Sequence, residues 1–237
     1  MKTIGMLGGM SWESTAEYYR LINQTIKKRL SGSHSAKCLL YSFDFHQISL
    51  MQHEGRWKDL EDLLIKQAVI LKEGGADFLI ICTNTMHILA AAIEQKSGLR
   101  VLHIVDETAK EIKRRSKKKV LLLGTSFTMQ SDMVPSILSK HGIEVMVPAI
   151  DQQTIVHDII YDQLIHGIID PISKQTLLAV IEGAMIDGID GVILGCTELP
   201  LLIKQEDLSI EVFDTTQIHA IAAVDEALRD ASKIKVD

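Results

Sequence analysis

Short apolar runs alternate with longer amphipathic runs along most of the chain. The short runs predict buried strands, whereas apolar residues recurring at three- and four-residue spacing predict helices with one buried face. This alternation is typical of parallel sheets covered by helices. The predicted strands are Thr3–Leu7, Cys38–Phe43, Phe78–Cys82, Arg100–His103, Val120–Leu123, Glu144–Val147, Gly191–Leu194 and Glu211–Phe213. The predicted helices are Ser14–Arg29, Trp57–Glu73, Thr85–Lys96, Asp106–Arg115, Ser131–His141, Gln152–Ile165, Ser173–Ile186 and Thr216–Leu228.

The chain also contains an internal repeat. The segment Gly75–Thr83 matches Gly188–Cys196, and each copy has Gly-x-Asp, an apolar strand and a small polar cluster. The segment Lys2–Gly8 has a counterpart in Lys118–Gly124. The repeat predicts a duplication that sets the architecture. The alternative is that buried strands of all α/β proteins share such a composition.

The predicted fold class is α/β, with two pseudo-symmetric α/β/α domains, parallel sheets and an active site in the interdomain cleft. We expect the first domain to comprise residues 1–115 plus 210–237, since the last segment is predicted to cross back onto the first half. The second domain then comprises residues 116–209. Ligands of open α/β sheets bind outside the carboxyl ends of the strands.

Composition narrows the function classes. A net charge of -6 argues against a nucleic-acid binder, which normally carries a basic surface. No run resembles a membrane span or a signal peptide, so we expect no membrane partner. Three cysteines are an odd number and too few for a disulfide framework, which favours a cytoplasmic protein with free thiols.

Sequence signatures of cofactor sites are missing. No metal-binding spacing such as C-x-x-C or H-E-x-x-H occurs, so we expect no metal. The segment Gly8-Gly9-Met10-Ser11 is neither a dinucleotide fingerprint nor a phosphate-binding loop. We therefore predict no cofactor.

Two polar clusters occupy equivalent positions of the repeat. Thr83-Asn84-Thr85 and Cys196-Thr197-Glu198 each follow a strand and are predicted to begin a helix, whose free N–H groups suit a carboxylate. A cysteine at such a position is expected to have its thiolate favoured. A hydroxyl on one side of a ligand and a thiol on the other suit inversion of a stereocentre, in which one group removes a proton and the second delivers one.

At these residues the sequence resembles the aspartate/glutamate racemase family. The matching segments are Gly5–Met10, Asn84-Thr85-Met86-His87 and Leu194–Pro200, and the resemblance runs over nearly the whole chain. It implies a racemase that works without pyridoxal phosphate, has two pseudo-symmetric α/β domains and forms a homodimer. The family uses a pair of cysteines as acid and base, and Cys196 matches one of them.

The sequence departs from the family pattern at the other cysteine, where Thr83 stands. Some family members resembling broad-specificity or L-aspartate/glutamate racemases are similar in this respect. Cys82 is one residue early, and a shift of one residue turns a strand side chain to the opposite face, so we predict that it packs in the core. A hydroxyl is a weaker acid than a thiol, so we predict fast conversion with Cys196 as base and slow conversion in the other direction.

The resemblance also implies substrate-binding residues near these clusters. Alternatively, several of them only cap the helices that they begin. His87 is predicted to be a packed core residue, and no basic group for a distal carboxylate is clearly matched. The predicted substrate-binding residues are Met10 through its backbone, Gln52 in a loop before a helix, Asn84, Thr85, Thr197 and Glu198.

The predicted function is cofactor-independent racemisation of an amino acid, with an aspartate- or glutamate-like substrate favoured. The first alternative is a related enzyme of the maleate isomerase or arylmalonate decarboxylase type, for which one thiol suffices. The second is a non-catalytic amino-acid-binding protein that has lost one acid–base group. Proton exchange at the α-carbon separates this binding protein from the enzymes.

Overall fold

The computed structural model describes residues 1–229 and divides into two compact units. One unit contains Met1–His103 together with the C-terminal segment from His219, and the other contains Ile104–Ile218. The sequence predicts different bounds, namely 1–115 plus 210–237 and 116–209, of which 230–237 lie outside the described residues. The α/β fold class with parallel sheets is confirmed.

The first unit contains a three-stranded parallel sheet in the order β2 (Cys38–Ser42), β1 (Ile4–Gly8), β3 (Phe78–Ile81). Every residue of the central strand is buried, as expected for a strand covered on both faces. The predicted strand at Arg100–His103 is wrong, because this segment makes only one bridge, between Val101 and Leu79, before the next helix begins at Ile104.

The second unit contains a four-stranded parallel sheet in the order β5 (Glu144–Met146), β4 (Lys119–Leu123), β6 (Gly191–Leu194), β7 (Glu211–Asp214). The last strand pairs with β6 from Gly191–Glu211 to Leu194–Asp214. This ladder corrects the predicted placement of residues 210–218 in the first domain.

The two sheets repeat one strand order, since β2-β1-β3 corresponds to β5-β4-β6. The registers agree as well. Leu7 lies opposite Ile81 at the carboxyl end of the first sheet, and Leu123 lies opposite Leu194 in the second. In the first unit the carboxyl ends of β1 and β3 therefore lie side by side, and in the second unit those of β4 and β6 do. The polar segments that follow these strands are neighbours in the same way.

Helices follow the predicted positions with local differences. The sequence does not predict helices α2 (Phe45–His53) and α6 (Ser126–Met129). The predicted helix at Thr85–Lys96 begins as a 3-10 helix, and the one at Gln152–Ile165 ends in a π-helix and a 3-10 turn. The α-helices are α1 (Trp12–Leu30), α2 (Phe45–His53), α3 (Trp57–Glu73), α4 (Ala90–Ser97), α5 (Ile104–Arg114), α6 (Ser126–Met129), α7 (Met133–Lys140), α8 (Ile150–Asp158), α9 (Pro171–Ile186) and α10 (Thr215–Leu228). The 3-10 helices are Thr85–Leu89, Leu164–His166, Leu199–Leu201 and Gln205–Asp207, and the π-helix is Ile159–Gln163.

Helix α3 shows why these sequences form amphipathic helices. Its buried residues Leu60, Leu64, Ala68 and Leu71 recur at helical spacing and pack in a cluster with Leu79 of β3. Burial of each leucine stabilises the unit by about 2 kcal/mol, which fixes α3 against the sheet. Within residues 1–229, none of the helices combines the length and the apolar character that crossing a membrane requires.

Candidate functional site

The cluster at Thr83 lies where β3 leaves the first sheet. The Cys82 N–H donates to the Leu7 carbonyl oxygen at 2.9 Å, which extends the ladder one residue beyond the strand. Thr83 is half-buried, Asn84 is buried, and half-buried Thr85 begins the 3-10 helix. Thr83 is therefore the first residue after β3 whose side chain is not fully enclosed.

Cys82 belongs to the core, as expected from its one-residue offset. Its side chain is fully buried in a cluster that includes Ile80, Tyr18 and Ala223. This burial raises the pKa of the Cys82 thiol well above its ordinary value. A thiol in this position has no access to a substrate and stays protonated.

Hydrogen bonds tie the loop after β1 to the loop after β3. The Gly9 N–H donates to Thr15 Oγ1 at 2.7 Å, and that hydroxyl donates to the Ser11 carbonyl oxygen at 2.9 Å. Ser11 also caps α1 by accepting from the Ser14 N–H, and the Ser14 hydroxyl donates to the Cys82 carbonyl oxygen at 2.8 Å. The Gly9 N–H thus donates its hydrogen bond to another group of the protein.

Two predicted substrate-binding residues of this unit are largely enclosed. Met10 is only 5% exposed and packs with Ile81 and Ile48, so its side chain belongs to the core. Gln52 is buried in the last turn of α2, which corrects the predicted loop.

Gly9 has a φ of +80°, and a Cβ there would lie 2.3 Å from the Phe43 carbonyl oxygen, so the loop requires glycine at this position.

The second cluster lies where β6 leaves the second sheet. The Gly195 N–H donates to the Leu123 carbonyl oxygen at 2.7 Å, and half-buried Cys196 is the next residue. The predicted helix start is wrong here, because only the short 3-10 helix Leu199–Leu201 follows. Such a turn lacks the aligned peptide dipoles of an α-helix and gives little support to a negative charge.

Burial and the neighbouring Glu198 both favour the protonated form of Cys196. Glu198 Oε2 accepts from Cys196 Sγ at 2.9 Å and from Thr197 Oγ1 at 2.7 Å. Burial, followed by the neighbouring Glu198 carboxylate, raises the pKa of the Cys196 thiol well above its ordinary value. The expectation of a favoured thiolate is therefore wrong for this structure, in which the group is a thiol that donates to a carboxylate.

This arrangement fits acid–base chemistry at carbon. A thiol with a raised pKa is a weaker acid, and the thiolate that it forms is a correspondingly stronger base. The Glu198 carboxylate is placed to accept the thiol proton when the thiolate forms. Within residues 1–229, His, Cys, Asp and Glu side chains form no group of three or more that could hold a metal ion.

The structure adds Tyr161 to this cluster, a residue that the sequence did not single out for this position. Burial, together with Cys196 and Glu198, raises the pKa of the Tyr161 phenol. The Tyr161 ring packs against that of His157 with centroids 4.5 Å apart, and His157 Nδ1 accepts from the Ser126 N–H. Tyr161 lies in the π-helix, and such distortions often occur at functional sites. No periodic sequence signal marks it.

Each unit thus gathers one group of predicted residues. The first unit brings Met10 and Thr83 to adjacent loops, because β1 and β3 are neighbours. The second holds Cys196, Thr197 and Glu198 in one hydrogen-bonded set.

Comparison with known proteins gives a consistent result. The family model described as Asp/Glu/Hydantoin racemase matches residues 7–223. The chain is 28% identical over 229 residues to the broad specificity amino-acid racemase RacX of Bacillus subtilis, which covers 93% of this chain and 96% of that protein.

Two solved structures are close in fold and sequence. One is a putative Asp/Glu racemase from Yersinia pestis, with 48% identity and a TM-score of 0.92 over 96% of this chain and 100% of the other. The second is PH1733 from Pyrococcus horikoshii, described as an aspartate racemase homologue. It has 34% identity and a TM-score of 0.86 over 96% of this chain and 99% of the other.

Proposed function

Because the chain belongs to the Asp/Glu/Hydantoin racemase family and is thus an amino-acid racemase, we propose that it inverts the α-carbon of an amino acid by two-sided proton transfer without pyridoxal phosphate. Cys196 is the thiol base and Thr83 is its partner. The observation that carries this proposal is the hydrogen bond from the Cys196 thiol to Glu198. It pairs a weakly acidic thiol with an acceptor for its proton.

The proposed reaction conserves protons at each step. Glu198 takes the thiol proton, and the Cys196 thiolate then removes the α-proton, so that the C–H bond breaks and an S–H bond forms. The carbanion takes a proton from the Thr83 hydroxyl on its other face. Thr83 regains a proton from water, because an alkoxide is too basic to persist. Glu198 then gives up its proton, which neutralises the hydroxide that remains, and all three groups return to their starting state. In the reverse direction the Cys196 thiol is the acid.

The proposed substrate is aspartate- or glutamate-like. The family and the name of the Yersinia pestis protein support this class, whereas the name of RacX supports a wider range of amino acids. A panel of amino acids is therefore the appropriate screen. The proposed substrate-binding groups are the Met10 backbone, Gln52, Asn84, Thr85, Thr197 and Glu198.

We further propose a homodimer located in the cytoplasm. The homodimer follows from the family resemblance, and the cytoplasmic location is supported by the three cysteines, all of which are free thiols. Sedimentation of the purified protein tests the dimer: a monomer at micromolar concentration contradicts it.

The screening experiment uses D2O. The protein is incubated with L- and D-amino acids, proton NMR follows loss of the α-proton, and chiral chromatography measures inversion. We expect both signals with at least one acidic amino acid and neither with Cys196→Ala. Stable binding of an amino acid with no α-proton exchange contradicts the racemase mechanism and supports the non-catalytic alternative.

Thermodynamics limits the predicted difference in rate between the two directions of racemisation. The two enantiomers of a free amino acid have equal free energies, so kcat/KM must be the same for both. The weakness of Thr83 as a base therefore appears in kcat and KM separately. Because Thr83 is the weaker base, exchange of the α-proton without inversion is also faster for the enantiomer whose α-proton faces Cys196.

A related enzyme that needs one thiol is the second candidate. It is favoured by the difference between the two repeats, which present a half-buried thiol at Cys196 and a hydroxyl at Thr83. Release of CO2 from an arylmalonate, or isomerisation of maleate, identifies this alternative if no amino acid is inverted.

A further inference from the structure

We propose that His87 is a positioning residue that holds the backbone of Thr83, and thereby aims the Thr83 hydroxyl. This inference rests on the proposed function of Thr83. His87 Nδ1 lies 2.8 Å from the Thr83 carbonyl oxygen. A carbonyl oxygen only accepts hydrogen bonds, so Nδ1 carries the proton and donates it.

The local backbone explains why a side chain can reach this carbonyl. In an α-helix the N–H of residue 87 would donate to the carbonyl of residue 83. Here the His87 N–H donates instead to the Asn84 carbonyl oxygen at 3.1 Å, because Thr85–Leu89 is a 3-10 helix. The Thr83 carbonyl is therefore left for the imidazole, which replaces the missing backbone donor.

The imidazole is itself fixed by its surroundings. His87 is 2% exposed, and its ring meets those of His103 and His219 edge-on, with centroids 4.9 and 5.3 Å away. His219 is held in turn by the Tyr18 hydroxyl at 2.9 Å and the Leu102 carbonyl oxygen at 2.8 Å. Burial and the two neighbouring histidines lower the pKa of His87 well below its ordinary value, so the ring stays neutral.

Burial of the His87 ring has a desolvation cost, which indicates that the residue has a specific role. Among the described residues, His87 Nε2 is buried without a hydrogen-bond partner. An apolar side chain would avoid this desolvation cost, and a purely structural position would favour one. The Thr83 carbonyl oxygen accepts from Nδ1 at 2.8 Å, so we assign the role of His87 to that contact.

The hydrogen bond from His87 affects the direction from which Thr83 delivers its proton. Holding the carbonyl fixes the peptide plane between Thr83 and Asn84, and hence the orientation of the Thr83 Cα–Cβ bond. A displacement of about 1 Å at a reacting group can slow a reaction about a hundredfold. Loss of the hydrogen bond should thus impair the step that uses Thr83 and leave proton exchange through Cys196 intact.

The test compares His87→Leu with His87→Asn. The amide nitrogen of asparagine is bonded to Cγ, as Nδ1 is in histidine, and can still donate to the Thr83 carbonyl; leucine cannot. The measured quantity is the ratio of inversion to α-proton exchange in D2O, for the enantiomer that exchanges faster. We expect His87→Leu to lower this ratio about tenfold to a hundredfold, with KM little changed, and His87→Asn to restore most of it.

A matched control separates positioning from loss of stability. Tyr18→Phe removes a hydroxyl that contacts His219 in the same histidine cluster, while His219 keeps its contact with the Leu102 carbonyl oxygen. It should leave the ratio unchanged. A wild-type ratio in folded His87→Leu, or an equal loss in Tyr18→Phe, overturns the proposal.

A second readout does not depend on activity. The amide NMR resonance of Asn84 reports the peptide bond that the Thr83 carbonyl belongs to. We expect it to shift in His87→Leu and to stay near its wild-type position in His87→Asn; an unchanged resonance in His87→Leu overturns the proposal. If the wild-type protein neither exchanges nor inverts any amino acid, the proposed function fails, while this resonance still decides whether His87 holds Thr83.

Discussion

The Cys196 sulfur lies 2.9 Å from Oε2 of Glu198. The same oxygen also accepts from the Thr197 hydroxyl, so the carboxylate is fixed by two donors on adjacent residues. Because a carboxylate accepts and the thiol donates, this contact holds the proton on sulfur. It also places a proton acceptor where formation of the thiolate requires one.

Glu198→Gln should make the Cys196 thiol more acidic. A neutral amide no longer opposes the negative charge of the thiolate, so we expect the pKa of Cys196 to fall toward its ordinary value. The measurement is the pH dependence of alkylation by iodoacetamide, whose midpoint should move to lower pH. Racemisation should nevertheless slow about a hundredfold or more, because the acceptor for the thiol proton is lost.

The alkylation is best measured in a Cys38→Ala background, since Cys82 is buried and Cys38 is the other thiol that a reagent can reach. Glu182→Gln on α9 is the matched control, because Glu182 is exposed and the same charge is removed. An alkylation midpoint that stays in place in Glu198→Gln would show that Glu198 does not control the thiol.

Cys196→Ala and Cys82→Ala should separate chemistry from stability. We expect Cys196→Ala to lower the inversion rate about 10²–10⁴-fold, since the base is removed. Cys82→Ala should keep most of the activity and lower the free energy of unfolding by about 1 kcal/mol, because it leaves a small cavity in the core. Chiral chromatography and urea unfolding measure the two effects. A folded but inactive Cys82→Ala variant would contradict this assignment.

The sequence predicts local features of the fold better than the pairing of distant segments. The apolar runs locate β1 and β6 because buried parallel strands need no alternation. Helix α2 (Phe45–His53) was missed because its pattern is weak, with only Ile48 and Gln52 buried. Strand β7 was found but placed in the wrong half, since its partner β6 is chosen by tertiary packing and not by local sequence.

The sequence likewise predicts the local features of the candidate site better than those that depend on tertiary structure. Alignment of the repeat predicted the equivalent positions of Thr83 and Cys196, because both follow equivalent strands. The state of the thiol could not be predicted, since it depends on the side-chain direction of Glu198 and on the length of the following helix. Tyr161 was missed because a π-helix, which no periodicity indicates, brings it near Cys196.

Thr83→Cys should improve the slower step of racemisation. A second thiol is a better acid and, once ionised, a more accessible base than a hydroxyl. We expect kcat to rise about tenfold for the slower enantiomer, and kcat/KM to rise equally for both, because their free energies are equal. Initial rates from each pure enantiomer measure this.

Thr83→Val is the control for that substitution, because it keeps the shape of threonine and removes the hydroxyl. Inversion should be lost while α-proton exchange through Cys196 continues. Equal inversion by wild type and Thr83→Val would exclude Thr83 from the chemistry.

The buried histidines link stability to pH. Burial lowers the pKa of His219 to about 4, and that of His87 also lies well below its ordinary value. Both rings are therefore neutral in the folded protein at pH values where the unfolded chain binds protons, below about 6.5. Stability rises with pH wherever the unfolded state binds more protons. Their contribution is thus fully present above about pH 6.5 and is lost as the pH falls toward the folded-state pKa values.

His219→Gln should therefore flatten the decline of stability with falling pH. Between pH 6.5 and 4, neutral burial of His219 accounts for about 3 kcal/mol of that decline, because each pKa unit corresponds to about 1.4 kcal/mol. Glutamine does not titrate, so the variant loses this dependence whatever its stability at pH 7. Urea unfolding at several pH values measures the slope, and His34→Gln, which changes an exposed histidine, should retain it. Equal slopes in wild type and His219→Gln would mean that His219 is charged in the folded protein.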